Sequence, residues 1–138
     1  MPGLLVYRDL AIRMVASACR LVPGHVGALA RKFDAEVISA FGEAFNNLVI
    51  HSYGAEPGEI EIEIEIGSGG ITIRMLDYGK SYDLHRVPEP DLASLPESGL
   101  GIYIMRACMD DVTYMSGRPN VLTMTKSLSA DNQSGLPR

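Results

Sequence analysis

The chain has 138 residues, 46% hydrophobic and 21% charged, with a formal net charge of −5 and 2 cysteines. That length and apolar content suit one globular core rather than two, and the acidic balance excludes a basic face for direct contact with nucleic acid or an anionic membrane. Cys19 and Cys108 stand far apart with no C-x-x-C or Cys/His ligand spacing, which speaks against a zinc site or a disulfide framework and for reduced thiols in a cytoplasmic protein. No basic segment leads into a long apolar stretch at the start, and no apolar run reaches the roughly 18 residues of a membrane span, so secretion and membrane insertion are not expected.

From Asp9 to Val22, Leu10, Ile12, Met14, Val15, Ala18, Cys19 and Val22 recur at helical spacing before Pro23-Gly24, which predicts a first helix. Asp34 is the expected N-cap of a second helix over 34–52, whose stripe runs Val37, Ile38, Phe41, Ala44, Phe45, Leu48 and Val49. Residues 59–66 alternate Glu and Ile with a strict period of two, which predicts a strand with a buried isoleucine face and a solvated glutamate face. Gly67-Ser68-Gly69-Gly70 turns the chain into a second strand, Ile71 to Leu76. Between Asp77 and Ser98 glycine and prolines break every period, and a loop of that length in a small domain is expected to be a lid or a binding loop. A helix from Gly99-Leu100-Gly101 to about Met109, strands near 112–116 and 120–127, and a disordered tail over 129–138 complete the reading, with one domain over 1–128.

Three places carry chemistry. Glu43, Asn47 and His51 are spaced by four, so one helix face presents a carboxylate, an amide oxygen and an imidazole. An amide oxygen suits Mg²⁺, which prefers oxygen ligands and is usually completed by substrate phosphates, whereas His51 reads as a structural neighbour because imidazole is a poor Mg²⁺ ligand. A carboxylate one turn earlier can orient a hydroxyl beside that phosphate. Asp77-Tyr78-Gly79 ends the second strand at the mouth of the loop, where a carboxylate can accept from a ring amine and a glycine lets a flat ring approach. Gly99-Leu100-Gly101 opens a helix whose free N–H groups can bind phosphate without lysine or arginine. Each feature alone also fits an ordinary amphipathic helix, a common turn or a loop easing into a helix.

Taken in order, Gly42-Glu43-Ala44-Phe45-Asn46-Asn47, Met75-Leu76-Asp77-Tyr78-Gly79, Ser98-Gly99-Leu100-Gly101, Met109-Asp110-Asp111-Val112 and Asn120-Val121-Leu122-Thr123 resemble the histidine-kinase-like ATPase superfamily, and within it the bacterial anti-sigma-factor serine kinases. The resemblance spans roughly residues 9–127. It implies an α+β fold, a two-layer sandwich of a mixed β-sheet with helices on one face. It implies ATP and Mg²⁺ as ligands, with Asn47 on the metal, Glu43 as general base or as the residue orienting the attacking hydroxyl, Asp77 on the adenine amine, Gly79 shaping the adenine pocket, and Gly99, Leu100 and Gly101 around the phosphates. The implied partners are an anti-anti-sigma (STAS-type) protein, which carries the phosphorylated serine, and a sigma factor. The alternative is a non-catalytic module of the same family, whose nucleotide sets only a conformation or is not needed.

The chain departs from the family pattern in three places. Ser81 stands where many members have a second glycine, Pro119-Asn120 stands where many have Gly-Thr, so that Asn120 is the candidate second adenine contact, and only Gly3 to Tyr7 precede the first helix where a strand is usual. An uncovered sheet edge favours pairing, so a homodimer is an expectation that light scattering checks.

Overall fold

The computed structural model describes residues 1–53, 58–80 and 97–129. The Glu/Ile alternation forms strand β1 (Ile60–Ile66), and the turn after it leads into β2 (Gly70–Asp77). Two further strands follow late in the chain, β3 (Asp111–Met115) and β4 (Asn120–Ser127), and the sheet order is β1-β2-β4-β3. All pairings among the described residues are antiparallel, where a mixed sheet was expected. The edge expected to lie uncovered is partly occupied: Pro2 bridges Glu59, and the Ile60 amide donates to the Met1 carbonyl (2.8 Å), so the first residues cover the start of the β1 edge.

Register sorts the side chains into cross-sheet rows. Ile62, Met75, Leu122 and Tyr114 form one row, and Ile64, Ile73, Met124 and Val112 form the next. All of these lie in or pack against the hydrophobic core. Two outer rows cap this apolar middle with polar groups: Ile66, Ile71 and Lys126 at one end, and Ile60, Asp77 and Asn120 at the other. The opposite sheet face carries Glu61, Glu63 and Glu65, all exposed, with Arg74 lying 3.3 Å from Glu65. The glutamate row is thus the solvated face that its period predicts.

Helices α1 (Arg8–Cys19), α2 (Gly27–Asn47) and α3 (Glu97–Cys108) form the second layer. Phe33, Val37, Phe41, Ala44, Phe45 and Leu48 of the α2 region are buried, as are Ile102 and Met105 of α3 and Ala11, Val15 and Cys19 of α1. α1 ends at Cys19 rather than Val22, and its Leu10 and Met14 stay exposed at 52% and 40%. α2 starts seven residues before the expected cap, at Gly27, whose φ of +67° suits glycine. Asp34 is therefore inside the helix and not its N-cap. Ala28 to Lys32 are good helix formers that give the helix no reason to stop, and the Asp34 carboxylate instead meets His25 Nε2 at 2.7 Å. Burial, with Asp34 alongside, pushes the Cys19 thiol up to about 12.

The far end of the sheet is tied to the helices through Lys126. Its Nζ donates to the Cys108 carbonyl (2.6 Å) and lies 3.5 Å from Glu36 Oε2, so a 6%-exposed lysine has an anionic partner on α2. Gly70 sits beside it in the sheet, and a Cβ there would overlap the Lys126 carbonyl oxygen and crowd the Ser127 backbone. Because backbone cannot rotate away as a side chain can, Gly70→Ala is expected to destabilise the domain by about 1–3 kcal/mol. Urea denaturation would read this as a lowered midpoint at unchanged slope, and an unchanged midpoint would refute it.

Candidate functional site

α2 carries the first half of the site. Its apolar stripe faces the core, and one column around from it stand Glu43, half-buried, and Asn47, 4% exposed. α3 packs against this column through Gly101: a Cβ at Gly101 would lie 2.9 Å from Glu43 Oε2 and 3.6 Å from both Asn47 Nδ2 and Asn47 Oδ1. A side chain there would press on Glu43, so the glycine leaves the carboxylate undisturbed, and tertiary packing brings the expected phosphate loop onto the expected carboxylate and amide. Asn47 Nδ2 is buried and has no hydrogen-bond partner among the described residues. An unmet buried donor costs about 1–3 kcal/mol, and it marks a place that a ligand oxygen would complete.

This donor set fits a magnesium nucleotide. Among the described residues no group of three or more His, Cys, Asp or Glu side chains could hold a metal ion. Mg²⁺ here would rest on the Asn47 amide oxygen and on substrate phosphates, its usual mode. The third member of the column, His51, falls in the π-helical stretch Leu48–Tyr53 that follows α2, so the four-residue succession ends at Asn47 and the side chain of His51 lies outside the described part.

The sheet supplies the second half. Asp77 continues the inward phase of Ile71, Ile73 and Met75, and is 2% exposed at the last position of β2. Its Oδ1 accepts from the Gly79 amide (2.9 Å) and from Asn120 Nδ2 (2.9 Å). The Asx turn made by the first bond is what Asp-x-Gly favours, and it holds Gly79 against the end of the strand. Asn120 Nδ2 also donates to the Gly79 carbonyl (3.0 Å), and Asn120 Oδ1 accepts from the Gly117 amide (2.9 Å).

The predicted residues therefore fall into two clusters, Glu43, Asn47 and Gly101 between helices, and Asp77, Gly79 and Asn120 at one end of the sheet. Leu100, on the α3 surface, is 38% exposed, and Gly99 lies in the first turn of α3, where side-chain surroundings are not described. Tyr78 and Tyr103 are exposed at 49% and 40%, and Lys80 and Arg106 are exposed. Ser81, Tyr82, Arg86 and most of the expected lid lie outside the described residues, as does the tail from 130. The sequence reading missed the grip of Asn120 on Asp77. Its signal was the strand phase: Asp77 and Asn120 are the polar residues at inward positions of the two strand ends, and they are register partners.

Fold and clusters together define an α+β domain of ATPase type, with one polar cluster under a helix pair and another at the sheet end. The chain belongs to the histidine kinase-like ATPase domain family, whose model matches residues 8–126. It is 32% identical over 100 residues to the serine-protein kinase RsbW of Bacillus thuringiensis (strain Al Hakam) and to that of Bacillus cereus (strain AH820), covering 67% of this chain and 62% of each relative. The chain thus spans less than two thirds of the length of these relatives. Among solved structures it is similar to the histidine kinase domain from the Erythrobacter litoralis EL346 blue-light activated histidine kinase, with a TM-score of 0.58, 13% identity, and 91% of this chain and 63% of that one covered. A second structure of that kinase gives a TM-score of 0.59 at 15% identity, covering 92% of this chain and 43% of the other. At such identities the structural likeness speaks for the fold alone. No helix among the described residues is long and apolar enough to cross a membrane.

Proposed function

We propose that the chain is an ATP-dependent protein serine kinase of the cytoplasm that phosphorylates a serine on an anti-anti-sigma (STAS-type) partner and thereby controls a sigma factor. The observation that carries this reading is the close approach of Gly101 to Glu43 and Asn47, with the Asn47 amide nitrogen left without an acceptor among the described residues. The likeness to serine-protein kinases of the RsbW type supports the reaction and the kind of partner.

Each residue has a physical role. Glu43 Oε2 accepts a hydrogen bond from the attacking hydroxyl and takes up its proton. Asn47 would hold the metal through its amide oxygen, and its Nδ2 can donate to a phosphate oxygen. Gly99 and Gly101 let backbone at the start of α3 come within hydrogen-bonding reach of the phosphates. Asp77 accepts from the exocyclic amine of adenine, while Gly79 leaves room for the ring. Mg²⁺, when bound, neutralises charge on the phosphates, which suits a chain of net charge −5 with an acidic ligand.

Thermal unfolding with ATP or ADP, with and without Mg²⁺, tests the site. A ligand at 100 times its Kd adds about 2.7 kcal/mol, which moves the midpoint of a domain this size by several degrees. The shift is expected to need Mg²⁺ and to be absent in Asn47→Ala, a variant expected to fold because the Asn47 amide nitrogen has no hydrogen-bond partner among the described residues. A cooperatively unfolding chain with no shift from either nucleotide would overturn the reading in favour of a nucleotide-independent binding module.

A further inference from the structure

Asn120 was the candidate for direct contact with the base, yet it is 0% exposed and its polar atoms are engaged within the protein. An amide nitrogen carries two protons. In this structure Asn120 Nδ2 has one acceptor for each, Asp77 Oδ1 at 2.9 Å and the Gly79 carbonyl at 3.0 Å. The Asn120 carbonyl oxygen meanwhile accepts from the Gly117 amide at 2.9 Å, which anchors the side chain to the β3–β4 connection. One buried side chain therefore joins three segments: the end of β2, the turn after it, and the start of β4.

We infer that Asn120 is the positioning residue that aims Asp77 at the nucleobase and so sets the preference for a 6-aminopurine. The inference rests on the nucleotide reading above and adds to it the residue on which base selectivity depends. With Asn120 Nδ2 and the Gly79 amide both directed at Oδ1, rotation of the carboxylate about its own axis is fixed. Neither bond uses Oδ2, so among the described residues that oxygen is the one left to accept from the ligand. An acceptor held in place matches a ring amine and opposes a ring carbonyl, because two acceptors face each other in the second case. A hydroxyl side chain has a single proton and could hold Asp77 or Gly79, but not both at once. Asn120 at this position thus puts a two-proton clamp behind the carboxylate.

The test compares ATP with purine riboside triphosphate, which lacks the 6-amino group, by calorimetric titration in the presence of Mg²⁺. The wild-type chain is expected to prefer ATP by about 10- to 100-fold, the range for a hydrogen bond to a charged group. In Asn120→Leu the preference falls to under about threefold while the Kd for purine riboside triphosphate stays within about threefold of wild type, and Asn120→Ser falls between. Equal weakening of both ligands would assign Asn120 a merely structural role and overturn the inference, as would an unchanged preference in the variants. A wild-type chain that binds neither nucleotide would instead bring down the nucleotide reading, and this inference with it. Should neither variant fold, the wild-type Asn120 side-chain amide protons decide by NMR: slow exchange that persists when ATP binds supports the clamp, and transfer of those protons to the ligand overturns it.

Discussion

Glu43→Ala is expected to lower phosphoryl transfer to the partner serine by about 100- to 10,000-fold, the usual worth of a positioned general base, while the Kd for ATP changes by less than about threefold. The separation follows from where the carboxylate sits. Glu43 Oε2 is the atom nearest the Gly101 position, between the two helices and one turn ahead of Asn47, so it lies beside the glycine proposed to face the phosphates and not in the cluster around Asp77. Phosphoryl transfer asks little covalent chemistry of a protein beyond positioning and charge, which leaves the hydroxyl proton as the one task for a carboxylate. The measurement is phosphate incorporation into an anti-anti-sigma partner from radiolabelled ATP, with nucleotide affinity measured in parallel. Full incorporation by the Glu43 variant would remove it as the base, and a comparable loss of ATP affinity would make it a binding residue.

Gly101→Ala sets stability and activity in opposition. A methyl group in the interior of a helix gains up to about 1 kcal/mol over glycine in propensity, and the atom it would press on at 2.9 Å is the end of the flexible Glu43 side chain, which can swing aside at small cost. Its 3.6 Å distances to the Asn47 amide are ordinary van der Waals contacts. The fold is therefore expected to keep its stability within about 1 kcal/mol, read by urea denaturation. Activity is expected to fall by about 100-fold, because a displacement of about 1 Å in a catalytic group can cost that much. A variant that folds and retains full transfer would show that the contact between α3 and Glu43 plays no part in catalysis.

Much of the fold could be read in the sequence where a period was strict. The run from Glu59 to Ile66 states its own strand and both of its faces, and Phe41, Phe45 and Leu48 state the buried stripe of α2. Helix limits were read less well because they depend on competition between local signals. Asp34 has the chemistry of an N-cap, but Ala28 to Lys32 favour helix, and the carboxylate found His25 instead. The turn-linked pairs β1–β2 and β3–β4 run antiparallel as their short connections dictate, but the β2–β4 pairing in the middle of the sheet was not legible, since it joins strands separated in the chain by α3.

The site divides in the same way. Local sequence determined which candidate residues stand together: a carboxylate and an amide four apart on one helix, Asp-x-Gly at a strand end, and two glycines in the early turns of α3. Side-chain spacing along a helix or strand is fixed by backbone geometry, so these relations hold before any packing occurs. The tertiary structure alone decided which of them meet. Gly101 reaches Glu43 and Asn47 because α3 packs on α2, and Asn120 reaches Asp77 because β4 pairs with β2 in one register. Both contacts join residues far apart in the chain, held by burial of the apolar rows between them, and no local pattern encodes a distance of that kind.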